Sequence, residues 1–216
     1  MTQILKNRNN QTANQKIHYL ASKVATCTYC EELVKTRNQS VMGYGDFKAD
    51  IFIIGEAPGR LGANVTGVPF TKDRSGVFLQ KMLCKIGLNE SDPECIQPKL
   101  KGVYITNIVK CNPQTENGTN RSPKNEEISN CMNYLENELE IVKPKIVISL
   151  GLPASKLILG NDFNGKNFGK IIKKQRFSVL PLWHPAFVIR GGGAQRMNEK
   201  RYSSYFKKIR KFLKNT

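Results

Sequence analysis

Apolar positions in this chain come in short blocks separated by amphipathic stretches. "IFIIG" (51–55), "GVYITNIV" (102–109), "KIVISLG" (145–151) and "FSVLPLWHP" (177–185) are nearly continuous apolar runs. Each is strand length, and an unbroken apolar run is what a strand buried on both faces requires. Helical patterns lie between them. "SGVFLQKMLCKIGL" puts Phe78, Leu79, Met82, Leu83 and Ile86 on one face. "PKNEEISNCMNYLENELEIVKP" carries acids near its start, which suits the helix dipole. "LPASKLIL" is a short helix, and a basic helix runs from about Gln195 to the end. Near the start of the chain, Ile17, Leu20 and Val24 mark one more modest helical period. Residues 1–11 are polar and are expected to be disordered.

Strand and helix therefore alternate four times. That order predicts a three-layer α/β/α fold with a four-stranded parallel sheet, in one domain spanning residues 1–216. The length of 216 residues suits one full core. Ligands of open parallel sheets bind at the carboxyl ends of the strands. There the chain places Gly55, Glu56, Ala57, Pro58 and Gly59 after the first run. Thr106, Asn107, Lys110 and Cys111 follow the second, Gly151 the third, and His184 with Pro185 the fourth. Polar groups thus converge on one sheet edge.

Charge changes the picture next. Thirty-four Lys and Arg face 17 Asp and Glu, a net charge of +17. Either the surface is simply basic and solvated, or the partner is a polyanion, of which nucleic acid is the commonest. No apolar run reaches the roughly 18 residues of a membrane span, and no secretory signal pattern opens the chain, so an intracellular protein of cytoplasm or nucleoid is expected.

Six cysteines occur, and "CTYC" is a C-x-x-C pair. Intracellular cysteines seldom form disulfides, so metal or redox chemistry is indicated. Cys27, Cys30, Cys111 and Cys131 form a possible set of four. Zinc or an iron–sulfur cluster would each accept four thiolates, and ordinary burial of Cys111 and Cys131 is the alternative. Cys84 falls on an apolar helix face. Cys95 lies in a polar loop.

Taken together, "GEAPG" after the first strand, "ITNIVKC" on the second and "WHPA" after the fourth resemble the iron–sulfur uracil-DNA glycosylases of the family 4 and family 5 type. The resemblance runs from about Cys27 to Arg190. It implies a [4Fe–4S] cluster held by Cys27, Cys30, Cys111 and Cys131 in a structural role. The features are mixed. "GEAPG" and "TNIVKC" look like family 4, whereas "GANVTGVPFTKDRSG" looks like family 5, so both Glu56 and Asp73 are present. A further relative traps uracil covalently through a histidine in the insert that here reads "NPQTENGTNRSPKN". That segment has no histidine, so trapping is not expected.

The implied function is a monofunctional DNA glycosylase of base-excision repair that removes uracil and leaves an abasic site. Its partner would be DNA containing uracil or another deaminated base such as hypoxanthine, and the protein would be a monomer. A non-catalytic iron–sulfur DNA-binding protein on the same fold is the alternative. Excision needs the base out of the stack. Phe70 matches the stacking face, and Asn107 can pair with the O4 and N3–H edge of uracil. His184 can donate to O2 as negative charge develops there. Gly55 lets backbone approach the base, and Ala57 is a further expected substrate contact. An acid should orient the attacking water or stabilise the sugar cation. Glu56, which follows a strand directly, is favoured as principal and Asp73 as its partner, and Asp73 can instead cap a helix. "HPAFVIRGGGAQR" is the expected DNA loop, with Val188, Ile189 or Arg190 as wedge and Gly191 and Gly192 against phosphate. Lys110, Arg121, Arg196 and Arg201 are further expected phosphate contacts.

Overall fold

The computed structural model describes residues 12–191, 193 and 197–214. The expected disorder of residues 1–11, the phosphate contacts at Gly192 and Arg196, and the start of the basic helix at Gln195 lie outside the described residues. In chain order the elements begin with α1 (Ala13–Ala25), α2 (Glu31–Thr36), β1 (Tyr44–Gly45), β2 (Ile51–Gly55), α3 (Ala63–Thr66), α4 (Arg74–Lys85) and β3 (Val103–Asn107). They continue with α5 (Asn125–Val142), β4 (Ile146–Leu150), α6 (Leu152–Leu159), β5 (Ile172–Lys173), β6 (Ser178–Leu182), α7 (Pro185–Ile189) and α8 (Glu199–Lys214).

The sheet order is β1-β3-β2-β4-β6-β5. The four expected strands, β3, β2, β4 and β6, are parallel neighbours, and all their residues are buried. The expectation of four strands needs correction, because two antiparallel strands of two residues each extend the edges. Neither "YG" nor "IK" has enough residues to show a period, so the pattern of the sequence passes over both.

Pleating sorts the strand residues onto two cores. Ile51, Ile53, Ile105, Ile148 and Leu180 face α4 and α8, through Leu79, Met82, Leu83, Tyr202 and Phe206. Phe52, Ile54, Tyr104 and Val147 face α1 and α5, through Ile17, Leu20, Val24, Tyr134 and Leu135. This is the expected three-layer arrangement. Burying each such side chain stabilises by about 1.5–3 kcal/mol, and the two cores hold the carboxyl edge of the sheet rigid. Helix starts are capped: Thr12 and Gln15 form a reciprocal box at α1, and Glu127 accepts from the backbone N–H of Lys124 at α5. No helix among the described residues is long and apolar enough to cross a membrane.

Candidate active site

At the carboxyl edge, β2 and β3 pair in register so that Gly55 faces Asn107. The loops that follow enclose a pocket of about 200 Å³. Glu56, Ala57, Phe70, Asp73, Asn107 and His184 all line it, so the structure brings these expected residues together. Sites for drug-sized ligands run to roughly 300–1,000 Å³, so this smaller space suits one planar base.

Gly55 does not itself line the pocket but lies against two residues that do, Phe70 and Asn107. A Cβ there would lie 2.6 Å from Phe70 Cζ and closer still to Asn107 Oδ1. Phe70 is buried with φ of 53°, a left-handed conformation that a bulky residue adopts only under constraint. Two features impose it. Gln80 donates to the Phe70 carbonyl at 3.1 Å, and Gly76 lets the first turn of α4 press on the backbone. A Cβ at Gly76 would meet Phe70 C at 2.5 Å. The Phe70 ring sits 5.9 Å from the His184 ring, tilted by 40°.

The side-chain oxygen of Asn107 is buried without a hydrogen-bond partner among the described residues. Buried amides are costly in that state, which marks it as awaiting a ligand. His184 caps α7 by accepting from Ala186 N at 3.2 Å through Nδ1. A ring whose Nδ1 accepts carries its proton on Nε2. Burial, then the charge of Arg190, pulls its pKa down to about 4, so the ring is a neutral donor at neutral pH. Behind it, Trp183 stacks between Phe168 and Phe187 at 4.0 and 4.6 Å, and its carbonyl accepts from the buried Tyr202 hydroxyl.

The two acids differ. Asp73 is the N-cap of α4 and accepts from Gly76 N at 2.8 Å, while Oδ2 abuts Gly59 and Gly62. Burial raises its pKa. Glu56 is half-buried at the pocket wall directly after β2.

Lys110 overturns an expectation. It is buried, and its ammonium donates to Thr106 Oγ1, Asn107 O and Glu138 Oε2 at 2.7, 2.7 and 2.6 Å. It therefore does not reach phosphate; it braces the backbone of Asn107. Arg121 is likewise committed, gripping Glu127 with two bonds of 2.8 and 2.6 Å. Val188 is packed in the core, which leaves half-buried Ile189 and exposed Arg190 on the loop expected to meet DNA, beside exposed Gly191. Arg201 is exposed on α8. Glu138 escaped the reading of the sequence, although its spacing from Tyr134, Leu135 and Val142 puts it on the inner face of α5. Asn112 escaped it too, and nothing in the sequence pattern marks that residue.

Cys27, Cys30, Cys111 and Cys131 gather in the α1/α5 core. Burial pushes the Cys131 thiol up to about 11, and it raises Cys30 and Cys111 as well. Arg37 donates to Cys111 Sγ at 2.9 Å and Asn130 to Cys30 Sγ at 3.4 Å. Among the described residues, no three His, Cys, Asp or Glu side chains are grouped to hold one metal ion. Hydrogen bonds to cysteine sulfur are among the features that tune iron–sulfur sites.

A family model described as "Uracil DNA glycosylase superfamily" matches residues 42–214. The chain is 34% identical over 200 residues to a type-4 uracil-DNA glycosylase of Archaeoglobus fulgidus, covering 88% of this chain and 89% of the relative. It is 32% identical to the type-4 enzyme of Sulfurisphaera tokodaii, covering 88% and 82%. It is 31% identical to a type-5 uracil-DNA glycosylase of Pyrobaculum aerophilum, covering 76% and 80%.

Proposed function

We infer the function from one premise: this chain belongs to the uracil DNA glycosylase superfamily. We propose that it is a monofunctional hydrolase that cleaves the N-glycosidic bond of uracil in DNA and leaves an abasic site. The observation that carries this reading is the unpartnered amide oxygen of Asn107 sharing one small pocket with the neutral His184 ring. A flipped uracil stacks on Phe70. Its N3–H meets the Asn107 oxygen, and its O2 accepts from His184 Nε2. That last bond strengthens as the leaving base gains negative charge, so it favours the transition state over the ground state. Glu56 orients the attacking water. Asp73, with one oxygen already held by the helix, shapes the loop beside it.

DNA is drawn by the +17 charge, with Arg190 and the backbone at Gly191 nearest the strand. Cys27, Cys30, Cys111 and Cys131 would hold a [4Fe–4S] cluster, which supplies a structural clamp and no step of the hydrolysis.

The test is incubation with a uracil-containing oligonucleotide, followed by alkali to break abasic sites, with Glu56→Ala and Asp73→Ala alongside. Cleavage by the wild type that Glu56→Ala loses and Asp73→Ala partly keeps is expected. DNA binding without cleavage would refute the reading and favour a binding protein or another deaminated base.

A further inference from the structure

A second buried acceptor lies in the same pocket. Asn112 is 1% exposed, and its Oδ1 has no hydrogen-bond partner among the described residues. Its orientation is fixed by its other end. Nδ2 donates to Pro58 O at 2.7 Å and to Asn120 Oδ1 at 2.9 Å. Asn120 Oδ1 also accepts from Arg60 N at 3.0 Å, so that atom is an oxygen and not the amide nitrogen. Turning the Asn112 amide over would set oxygen against two oxygens. Its free atom is therefore an acceptor, and it calls for a donor.

Uracil attached at N1 offers one donor, N3–H, and the reading above gives that to Asn107. The only other donor the reaction brings is water, which has two. We propose that Asn112 is a positioning residue for the attacking water, a role that rests on the glycosylase reading. One O–H of the water points to Asn112 Oδ1 and the other to the Glu56 carboxylate, which fixes a lone pair on C1′. As the C1′–N1 bond breaks, its electron pair leaves with the base. The water oxygen bonds to C1′, and its proton passes to Glu56. Asn112 takes no proton; it holds direction. Burying an unsatisfied amide oxygen costs folding stability, and a bound water donating to it would offset that cost.

The experiment is single-turnover excision from uracil-containing DNA by wild type, Asn112→Ala and Asn112→Ser, with DNA affinity measured on an uncleavable analogue. Added methanol serves as a competing nucleophile. Loss of water orientation should slow Asn112→Ala roughly tenfold to a hundredfold, with affinity changed by less than about twofold, because the acceptor acts on the water and not on the duplex. The share of product captured as methyl glycoside should rise. Asn112→Ser, which keeps a smaller oxygen, should recover part of the rate and of the selectivity against methanol. An unchanged rate, or a rate loss matched by lost affinity with an unmoved methanol share, overturns the role. A wild type that releases no uracil refutes the glycosylase reading itself and takes this proposal with it.

Discussion

Lys110 offers the sharpest test of how this fold separates structure from DNA contact. Its side chain is 2% exposed and that of Glu138 is fully buried, with 2.6 Å between them. Glu138 also accepts from Tyr104 OH, Thr106 Oγ1 and Gly43 N at 3.0, 2.9 and 3.0 Å. The Tyr104 phenol stays protonated as a donor, since burial and then the charge of Glu138 raise its pKa well above the ordinary value. Lys110→Met would remove the cation and leave a carboxylate held by neutral donors alone. Breaking one side of a buried pair costs about 3–5 kcal/mol. With a urea m-value of about 2 kcal/mol/M, the midpoint should fall by roughly 2 M. Lys110→Met combined with Glu138→Gln should cost less than the two single changes summed. The salt dependence of DNA binding should stay as in the wild type. A midpoint shift worth less than about 1 kcal/mol, with the log–log salt slope reduced by about 0.9, would refute the reasoning and return Lys110 to the DNA surface.

Further outcomes are expected. His184 gains its proton near pH 6.5 when unfolded and near 4 when folded. Its contribution is therefore intact above pH 6.5 and drains as pH falls to 4, by at most about 3.4 kcal/mol. The excision rate should hold through pH 6.5, where an ordinary histidine would titrate; a rate that halves at that pH contradicts a depressed pKa. His184→Ala should lower turnover far more than DNA affinity, and equal losses would mark a structural histidine. Asn107→Asp should relax discrimination between uracil and cytosine, measured by excision from paired oligonucleotides, and unchanged selectivity would remove its role as edge reader. Gly55→Ala should abolish excision while melting stays cooperative, because the added methyl meets Phe70 and Asn107; full activity would mean that the base binds elsewhere.

Much of this molecule was legible in the sequence because continuous apolar runs have few other destinations. The four parallel strands and the carboxyl-edge grouping of Glu56, Asn107 and His184 follow from runs that end in glycine, asparagine or His-Pro. What escaped depends on partners distant in the chain. Lysine after a strand reads as surface until Glu138, 28 residues later on the inner face of α5, is known to meet it. Arg121 reads the same way, and its commitment to Glu127 appears only when the insert folds against α5. The left-handed backbone of Phe70 is invisible for a related reason, since it follows from the pressure of Gly76 and Gln80.

One short segment concentrates these dependencies. From Asn107 to Asn112 the chain supplies the proposed base reader, the buried lysine, one of the four cysteines proposed to hold the cluster, and the second orphan acceptor. Ile108 N and Val109 N bond back to the carbonyls of Gly55 and Glu56 at 2.9 and 3.1 Å, so this segment and the acid share one scaffold. Lys110 fixes one end through the Asn107 carbonyl. Cys111 sits between that anchor and Asn112, so the proposed cluster, if bound there, would fix the other end. Removing the iron should then act on the rate through geometry, with no change in chemistry. Cys111→Ala, or chelation after oxidation, should lose the visible absorbance of the cluster, lower thermal stability and slow excision. The His184-dependent pH profile of the residual activity should remain. Excision at the wild-type rate by iron-free protein would show that the segment holds its shape without the cluster, and would confine the four cysteines to a role away from the pocket.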